Sequence, residues 1–526
     1  MARTFDVAST IGYMNFYDVS ATTWYARNVT TGDYFTDTAD VGDCLYFVLR
    51  SGSGSSIYSS THNLNVNVGT PLAATSITLV WEFFKRDDTW ATLSVTDNTN
   101  SFQNAGANSI TWTIPDEWTS IPLANLPAGT NKPTSPAFWH AVRARISAVT
   151  GLTEGGANST SAITTNNWCI KIPSGDSVTL ADLLSDDTTG GWGVVTTDTD
   201  ARHYKILANL EILSGATLTI QDWEELQLGT ELQWMGMLNA GTFTMGLKSG
   251  NDYNEGARFI YYNHLGRYLT TNQAGSNIIW TGTWNVTNSY VWKRGSTENP
   301  SMAGSNYFYN SIFEAEHEYF RWYFPSAAGV GEIKNAVFSG PNNTSSRGLY
   351  FYTDDIVIDN IILGKGAYYA IGATNANLTN TRIITGKKVK TFNNANPAYA
   401  TDCIFEDPYA TAHSDAADDI FYVRYTLNLT VLDVANSTIS SPTVRLVDSQ
   451  STELFNGTWS SDLIVTVWGK NLTTVTDYNP MEIWISKSGY ETYYQKFTLG
   501  YDNRKMTIRL RNSPTQGRDS LNSAFR

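Results

Sequence analysis

The sequence is poor in charge. Only 16% of its 526 residues are Asp, Glu, Lys or Arg, against roughly 25% in an average soluble protein, so its polarity rests on neutral side chains. Basic residues are the scarcer kind: 35 Lys and Arg against 49 acidic residues leave a net charge of −14 and a pI near 4.9. Without clustered Lys and Arg the chain has nothing to neutralise a row of phosphates, which argues against a nucleic-acid partner. Cysteine is nearly absent. Cys44, Cys169 and Cys403 are too far apart for a CxxC metal site or a disulfide framework, and are expected to be small buried hydrophobes. No apolar run approaches the ~18–20 residues of a membrane span, and the first residues, Met1–Val7, lack the basic-then-apolar order of a secretory signal. The expectation is a protein made and released in the cytoplasm, with no membrane insertion. The six histidines (62, 140, 203, 264, 317 and 413) have no ligand spacing. There is no GxSxG elbow, Walker loop, HExxH helix or dinucleotide fingerprint, so no metal and no cofactor is expected.

What is present favours strands. Aromatics make up 13% of the chain, with 17 Trp, 29 Tyr and 22 Phe, and 40 Gly join abundant Thr, Ser and Asn, a composition of strands and turns. A hydrophobic content of 41% is enough to bury large cores, which excludes disorder, and the length calls for several domains. Asn-x-Ser/Thr triplets recur, but a chain rich in Asn and Thr generates them by chance.

Residues 1–165 read as short strands between Gly, Asn and Asp turns: Cys44–Leu49, Ser76–Phe84, Trp90–Val95, Ser109–Pro115 and Trp139–Val149. Strands at this spacing predict a β-sandwich or jelly roll. In the last of them, alternation places His140, Val142, Ala144, Ile146 and Ala148 on the core face. The segments Val41–Phe47, Leu79–Phe84 with Trp90–Leu93, Ile114–Trp118 and Ala141–Ala157 resemble the β-sandwich modules of structural proteins from tailed viruses of bacteria and archaea. The likeness spans about the first 160 residues. It lies in packing and turn residues, implies a virion setting and carries no catalytic residue.

Residues 166–230 form a transition, with a short helix predicted around Ser177–Leu184. Beyond it a repeat sets in. Asn285, Asn310, Asn335, Asn360, Asn380 and Asp402 follow one another at intervals of 25, 25, 25, 20 and 22 residues, with Asn239 and Asn263 read as earlier members. Each is flanked by a short apolar strand, and a period of ~20–25 residues means stacked coils. The reading for 231–418 is a right-handed parallel β-helix. From about residue 419 the pattern returns to longer strands, Phe421–Leu432, Thr443–Val447, Leu463–Trp468, Met481–Tyr490 and Met506–Arg511. Residues 419–512 are read as a small Ig-like sandwich. Ile485–Thr492 with its closing strand is similar to the transthyretin-like module. Residues 513–526 make a polar tail. The fold class is all-β throughout.

Glycan-cleaving β-helices would need two carboxylates on one face, acting as acid and as base or nucleophile. Glu314, Glu316 and Glu318 alternate along one strand, and Asp354, Asp355 and Asp359 flank another. These six are the watch list for catalysis, with a solvated acidic face as the competing interpretation. Aromatic clusters containing Trp280, Trp284, Trp292, Trp322 and Tyr323 offer flat faces on which sugar rings could stack, against rung packing as the alternative. The function expected is that of a non-enzymatic virion protein: a fibre, spike or tail-associated adhesin that binds the host surface or decorates the particle. Its partners would be its own copies in a homotrimer, other virion proteins and a host-surface glycan. The alternatives are a tailspike hydrolase or lyase acting on host polysaccharide, and a capsid-decorating spike without a receptor role.

Overall fold

A computed structural model describes residues 3–513 except 52–60, 86, 120, 135–137, 231–232, 234, 247–255, 263–277, 295–300, 303, 316–321, 325–330, 340–346, 352–355, 364–368, 374–376, 384–387, 392–397, 406–411, 415–419 and 472–473. The structure is all-β: among the described residues the only helices are α-helix Leu180–Gly190 and the 3-10 turn Leu123–Asn125. Two compact units divide it, Met1–Ser305 with Phe313–Tyr319, and Asn306–Ile312 with Phe320–Arg526.

The first unit opens with two antiparallel sheets around one core. One sheet runs Thr23–Arg27, Tyr13–Asp18, Cys44–Ser51, Phe138–Thr150, Ser76–Phe84, Trp90–Thr92; the other includes Thr4–Thr10, Thr164–Ile172, Asn63–Thr70 and Gly106–Trp112. Period-two alternation drives Leu45 and Phe47, Leu64 and Val66, and Val142, Ala144 and Ile146 into the shared core, as the pleat requires. The alternation predicted for Trp139–Val149 holds only as far as Ile146. A bulge between Ile146 and Ala148 shifts the register, so Val149 packs against the core while Ala148 is exposed, because one extra residue exchanges the two faces. The outer face of the sheet is also buried over much of its area: Tyr17, Trp24, Tyr46, Phe84 and Trp139 form a second core with Ile121 and Leu126.

Strand Thr164–Ile172 serves two structures. Its first part pairs antiparallel with Thr4–Thr10, and its last four residues pair parallel with Asn209–Ile212. From there three rows of parallel strands build up, and from His203–Ile206 on each strand is bonded to the one three strands later. The first row continues to Met237–Asn239 and Ile278–Trp280. The second stacks Ser177–Thr179, Thr217–Ile220, Thr242–Met245 and Thr283–Thr287. The third stacks His203–Ile206, Glu225–Leu228, Arg258–Tyr262 and Tyr290–Arg294. At the bend from first to second row, Gly241 and Gly282 lie one over the other. A Cβ on Gly282 would fall 2.0 Å from the Gly241 carbonyl oxygen, so only glycine fits there.

The second unit has the same three-row order. Asn306–Tyr309, Gly331–Lys334, Ile356–Asp359, Asn377–Thr379 and Ala398–Thr401 pair in parallel. Beside them run Val337–Ser339, Ile362–Leu363, Arg382–Ile383 and Ile404–Phe405, and Trp322–Phe324, Arg347–Phe351, Tyr369–Ala373, Lys388–Thr391 and Ala412–Ser414. Each strand of the row that begins at Asn306 ends in a left-handed residue: Asn310 (φ 49°), Asn335 (52°), Asn360 (49°), Asn380 (49°) and Asp402 (56°). Asn and Asp tolerate this region better than other non-glycine residues, which explains their periodicity. The next residue points inward, and Ser311, Ala336, Ile361, Thr381 and Cys403 are all buried.

The repeat therefore has a different phase in the first unit from the one its asparagines suggested. There the same bend is made by Gly246 (φ 67°) and Asn288 (φ 49°). Asn285 lies inside strand Thr283–Thr287, Asn239 belongs to the first row, and Asn263 is outside the described residues.

Strand Ile420–Leu432 ends the parallel stack and begins the terminal sheets. Phe421–Arg424 pair parallel with Ala398–Thr401, Ile420–Leu427 pair antiparallel with strand Leu463–Asn471, and Asn428–Leu432 pair parallel with Lys505–Arg509. A separate sheet runs Glu453–Thr458, Thr443–Val447, Met481–Ser486, Tyr493–Phe497 and buries Val444, Leu446, Met481, Ile483 and Ile485 on its inner face.

Candidate functional site

A cleft of about 480 Å³ opens beside helix Leu180–Gly190, lined by Arg3, Phe5, Asp176, Asp186, Thr189, Gly190 and Trp192. The helix starts where Thr179 and Asp182 cap each other: the Asp182 N–H donates to Thr179 Oγ1, and the Thr179 N–H and hydroxyl donate to Asp182 Oδ2. This arrangement satisfies two otherwise orphaned donors and holds the Asp182 carboxyl below its usual range. The helix ends at left-handed Gly191, whose N–H bonds the Asp187 carbonyl.

That ending places Trp192. A Cβ on Gly190 would sit 2.4 Å from the indole, so the ring lies across the helix end only because residue 190 is glycine. Phe5 stacks on the indole with centroids 4.3 Å apart and planes 11° from parallel. The indole is thus covered by Gly190 and by Phe5, and it lines the cleft without offering a bare face. Arg3 lies between two carboxylates, with Nη1 donating to Asp186 and Nε 3.5 Å from an Asp176 oxygen. The lining can accept hydrogen bonds from a polar ligand. Its one guanidinium is already shared by two carboxylates, and no histidine, thiol or serine is among these seven residues.

Sequence reasoning selected none of these residues. The capping pair Thr179 and Asp182 and the run Gly190-Gly191-Trp192-Gly193 were the available signals, but the cleft also needs Arg3, far away in sequence.

The residues that the sequence singled out are dispersed. Glu314 is half-buried and accepts the Tyr290 hydroxyl; burial first, and this carboxylate second, raise the Tyr290 pKa. Asp359 accepts from Thr379 Oγ1 at 3.0 Å and from Asn380 Nδ2 at 2.9 Å, as part of the bend ladder. Glu316, Glu318, Asp354 and Asp355 lie outside the described residues.

Trp284 is fully buried, edge-on to Phe313 at 6.1 Å. The expectation of a sugar platform there is corrected: alternation along Thr283–Thr287 turns Trp284 and Val286 inward, where no ligand reaches the ring. Trp292 is half-buried and packs near Tyr290. Trp280, Trp322 and Tyr323 occupy strands Ile278–Trp280 and Trp322–Phe324, but their side chains are outside the described set.

A second tyrosine–carboxylate pair was missed. In the second unit Tyr309 donates to Glu332 at 2.6 Å, and burial followed by that carboxylate pushes its pKa up to about 12. All three cysteines are buried thiols; burial raises the pKa of Cys44 to about 11 and of Cys403 to about 12. Among the described residues no three His, Cys, Asp or Glu side chains converge as a metal-binding group, and no helix is long and apolar enough to cross a membrane.

No family model matches the chain, and no curated protein matches it. Solved structures with some similarity are catalytic domains of GH87 alpha-1,3-glucanase. One, in complex with nigerose, is 10% identical with a TM-score of 0.24, over 81% of this chain and 79% of that one. A variant of such a domain, in complex with tetrasaccharides, is 10% identical with a TM-score of 0.20, over 81% and 72%. Superpositions this loose define no shared fold.

Proposed function

We propose that the three parallel rows are the coils of a right-handed β-helix, and that the chain is a virion structural protein: a fibre, spike or tail-associated adhesin that acts as a rigid mount. Its antiparallel sheets would provide attachment and binding. The observation that carries this reading is the bend column Asn310, Asn335, Asn360, Asn380 and Asp402. It repeats one conformation coil after coil, and over its first three members it commits the polar side chains to one another. Asn335 Nδ2 donates to Asn310 Oδ1 at 2.9 Å, and Asn360 Nδ2 to Asn335 Oδ1 at 2.6 Å. Such a column stiffens the stack; it does not poise groups for proton transfer. Parallel crossovers are overwhelmingly right-handed, and association of identical copies, as a trimer, would cover the open sheet edges.

The described watch-list carboxylates fit the same reading. Glu314 and Asp359 are each engaged as hydrogen-bond acceptors within their own unit.

The test is immunogold labelling, with antibody against the chain, of particles released from cultures that carry the gene. Label at the head or tail of particles is the expected result; label confined to particle-free fractions refutes the assignment. Sedimentation of the purified chain checks the trimer. Release of new reducing ends from host polysaccharide would favour the tailspike enzyme instead.

A further inference from the structure

The outer face of the terminal sheet carries a second kind of surface. Strands alternate, and positions opposite the buried Ile483 and Ile485 should be polar on a sheet with one wet face. Instead Trp484 stands there, and its register partner Tyr494 sits beside it on the edge strand Tyr493–Phe497. The two rings are 5.1 Å apart at 38°, and Tyr494 is 52% exposed. On the other side, Arg445 pairs with Trp484 in register and places its guanidinium carbon 4.9 Å from the indole centroid.

The charges around this strip are already matched. Arg445 Nε donates to Glu453 at 2.7 Å and Lys496 Nζ to Glu482 at 3.3 Å. Two cations and two carboxylates leave no net sign, and a charged ligand would have to break one of the pairs. A ligand suited to this face is uncharged. It has an apolar side to lie on the rings and hydroxyls at its rim to bond carboxylate oxygens and guanidinium N–H groups that remain in water. Trp and Tyr lose little conformational entropy when they make such contacts.

We infer that the Trp484–Tyr494 strip is a binding site for a neutral polysaccharide, with sugar rings stacked on the aromatic pair and hydroxyls met by Arg445, Glu453, Glu482 and Lys496. The inference rests on the adhesin reading and locates its ligand site on the terminal sheet.

The test is affinity electrophoresis of the full chain in native gels containing dextran, mannan or galactan and, separately, the anionic polymer alginate. At least one neutral polymer retards the chain. Trp484→Ala with Tyr494→Ala weakens that retardation by about tenfold, the loss expected of one or two aromatic contacts, whereas Ile464→Ala, an exposed change on another strand, leaves it unchanged. If the double variant melts early, Tyr494→Ser alone decides, because that ring is half in solvent; it must still weaken retardation. No retardation by any neutral polymer, retardation by alginate alone, or undiminished retardation of the variants overturns the inference. Gold label on particles without retardation refutes this site and leaves the virion reading standing; retardation without label does the reverse.

Discussion

Asn335 is the residue on which the logic of the bend column is most directly tested. Its backbone is left-handed at φ 52°, and its side chain both donates to Asn310 and accepts from Asn360. In Asn335→Ala, holding alanine in the left-handed region costs about 1 kcal/mol. The two lost side-chain bonds, both at an exposed site, cost about 0.5 kcal/mol each. The sum, about 2 kcal/mol, corresponds to roughly a thirtyfold rise in local opening. Asn335→Gly removes the same bonds without the conformational penalty, so it should cost about half as much. Global melting is a poor readout for a chain of several units; hydrogen exchange by mass spectrometry reports local opening directly. The Asn335 N–H bonded to the Asp359 carbonyl, and the Val337 N–H bonded to Ser311, should exchange faster in the order Gly then Ala. Equal acceleration by Gly and Ala would show that the left-handed bend is not what selects asparagine, and no acceleration by either would refute the ladder as a source of stiffness.

Other consequences can be checked in the same protein. His140 packs on Trp118 at 4.3 Å, its Nε2 has no hydrogen-bond partner, and burial lowers its pKa from 6.5 to about 4. The unfolded chain therefore binds the extra proton between those values, and stability falls as pH drops from 6.5 to about 4, by about 3 kcal/mol; urea titrations of the first unit's fluorescence should show this slope reduced in His140→Phe. Glu82 is buried and holds Arg143 at 2.8 Å and Arg145 at 2.9 Å, so Glu82→Ala leaves the largely buried Arg143 without a counterion and should cost about 3 kcal/mol in chemical denaturation. Gly282→Ala puts a methyl against the Gly241 carbonyl and should prevent recovery of soluble, protease-resistant protein, whereas Ala at the open Gly457 position should not. Cys403 Sγ lies 3.5 Å from the Thr401 carbonyl, matching Ser311 on Tyr309 and Thr381 on Thr379; Cys403→Ser should shift hydrogen exchange of the strands beside it by less than about 1 kcal/mol.

Much of this architecture was legible because one bend imposes one residue type. From Asn310 to Asp402 the left-handed turn selects Asn or Asp, and the spacing in the sequence is the spacing of successive strands in one parallel row. The earlier strands of the first unit misled for the same reason. Gly246 satisfies the bend as well as asparagine does, so the marker disappears, while Asn239 and Asn285 are asparagines with other duties. The glycine contact of Gly241 and Gly282 left little trace, because the chain between successive strands of a row varies in length. Trp284 was legible in principle: Thr283–Thr287 alternates cleanly, and the aromatic falls on the inward phase with Val286. The reversal of Ala148 and Val149 was not, since a bulge is set by the partner strand. The cleft was invisible for a different reason. It joins Arg3 to Asp176 and Asp186, and no local pattern announces a contact made across such a separation.

The last residue of the bend column explains how a repeating surface comes to an end. An asparagine can donate to one neighbour and accept from the other, so a column of them extends itself and leaves an unmatched group wherever it stops. Asp402 has no donor and accepts only. It receives the Thr426 N–H at 2.8 Å, the Thr426 hydroxyl at 2.6 Å and an ion pair from Arg504 at 3.0 Å. Thr426 lies on the strand that passes from the parallel rows into the terminal sheets, and Arg504 precedes the strand Lys505–Arg509 that pairs with it. Carboxylates stacked at every bend would repel one another at the ~4.8 Å strand spacing, whereas a single one facing a guanidinium is stabilised. The amide bonds themselves run from Asn360 to Asn335 to Asn310, and Asn380 turns instead to Asp359. A carboxylate at the last bend therefore ties it to the segment that follows, through Thr426 and Arg504.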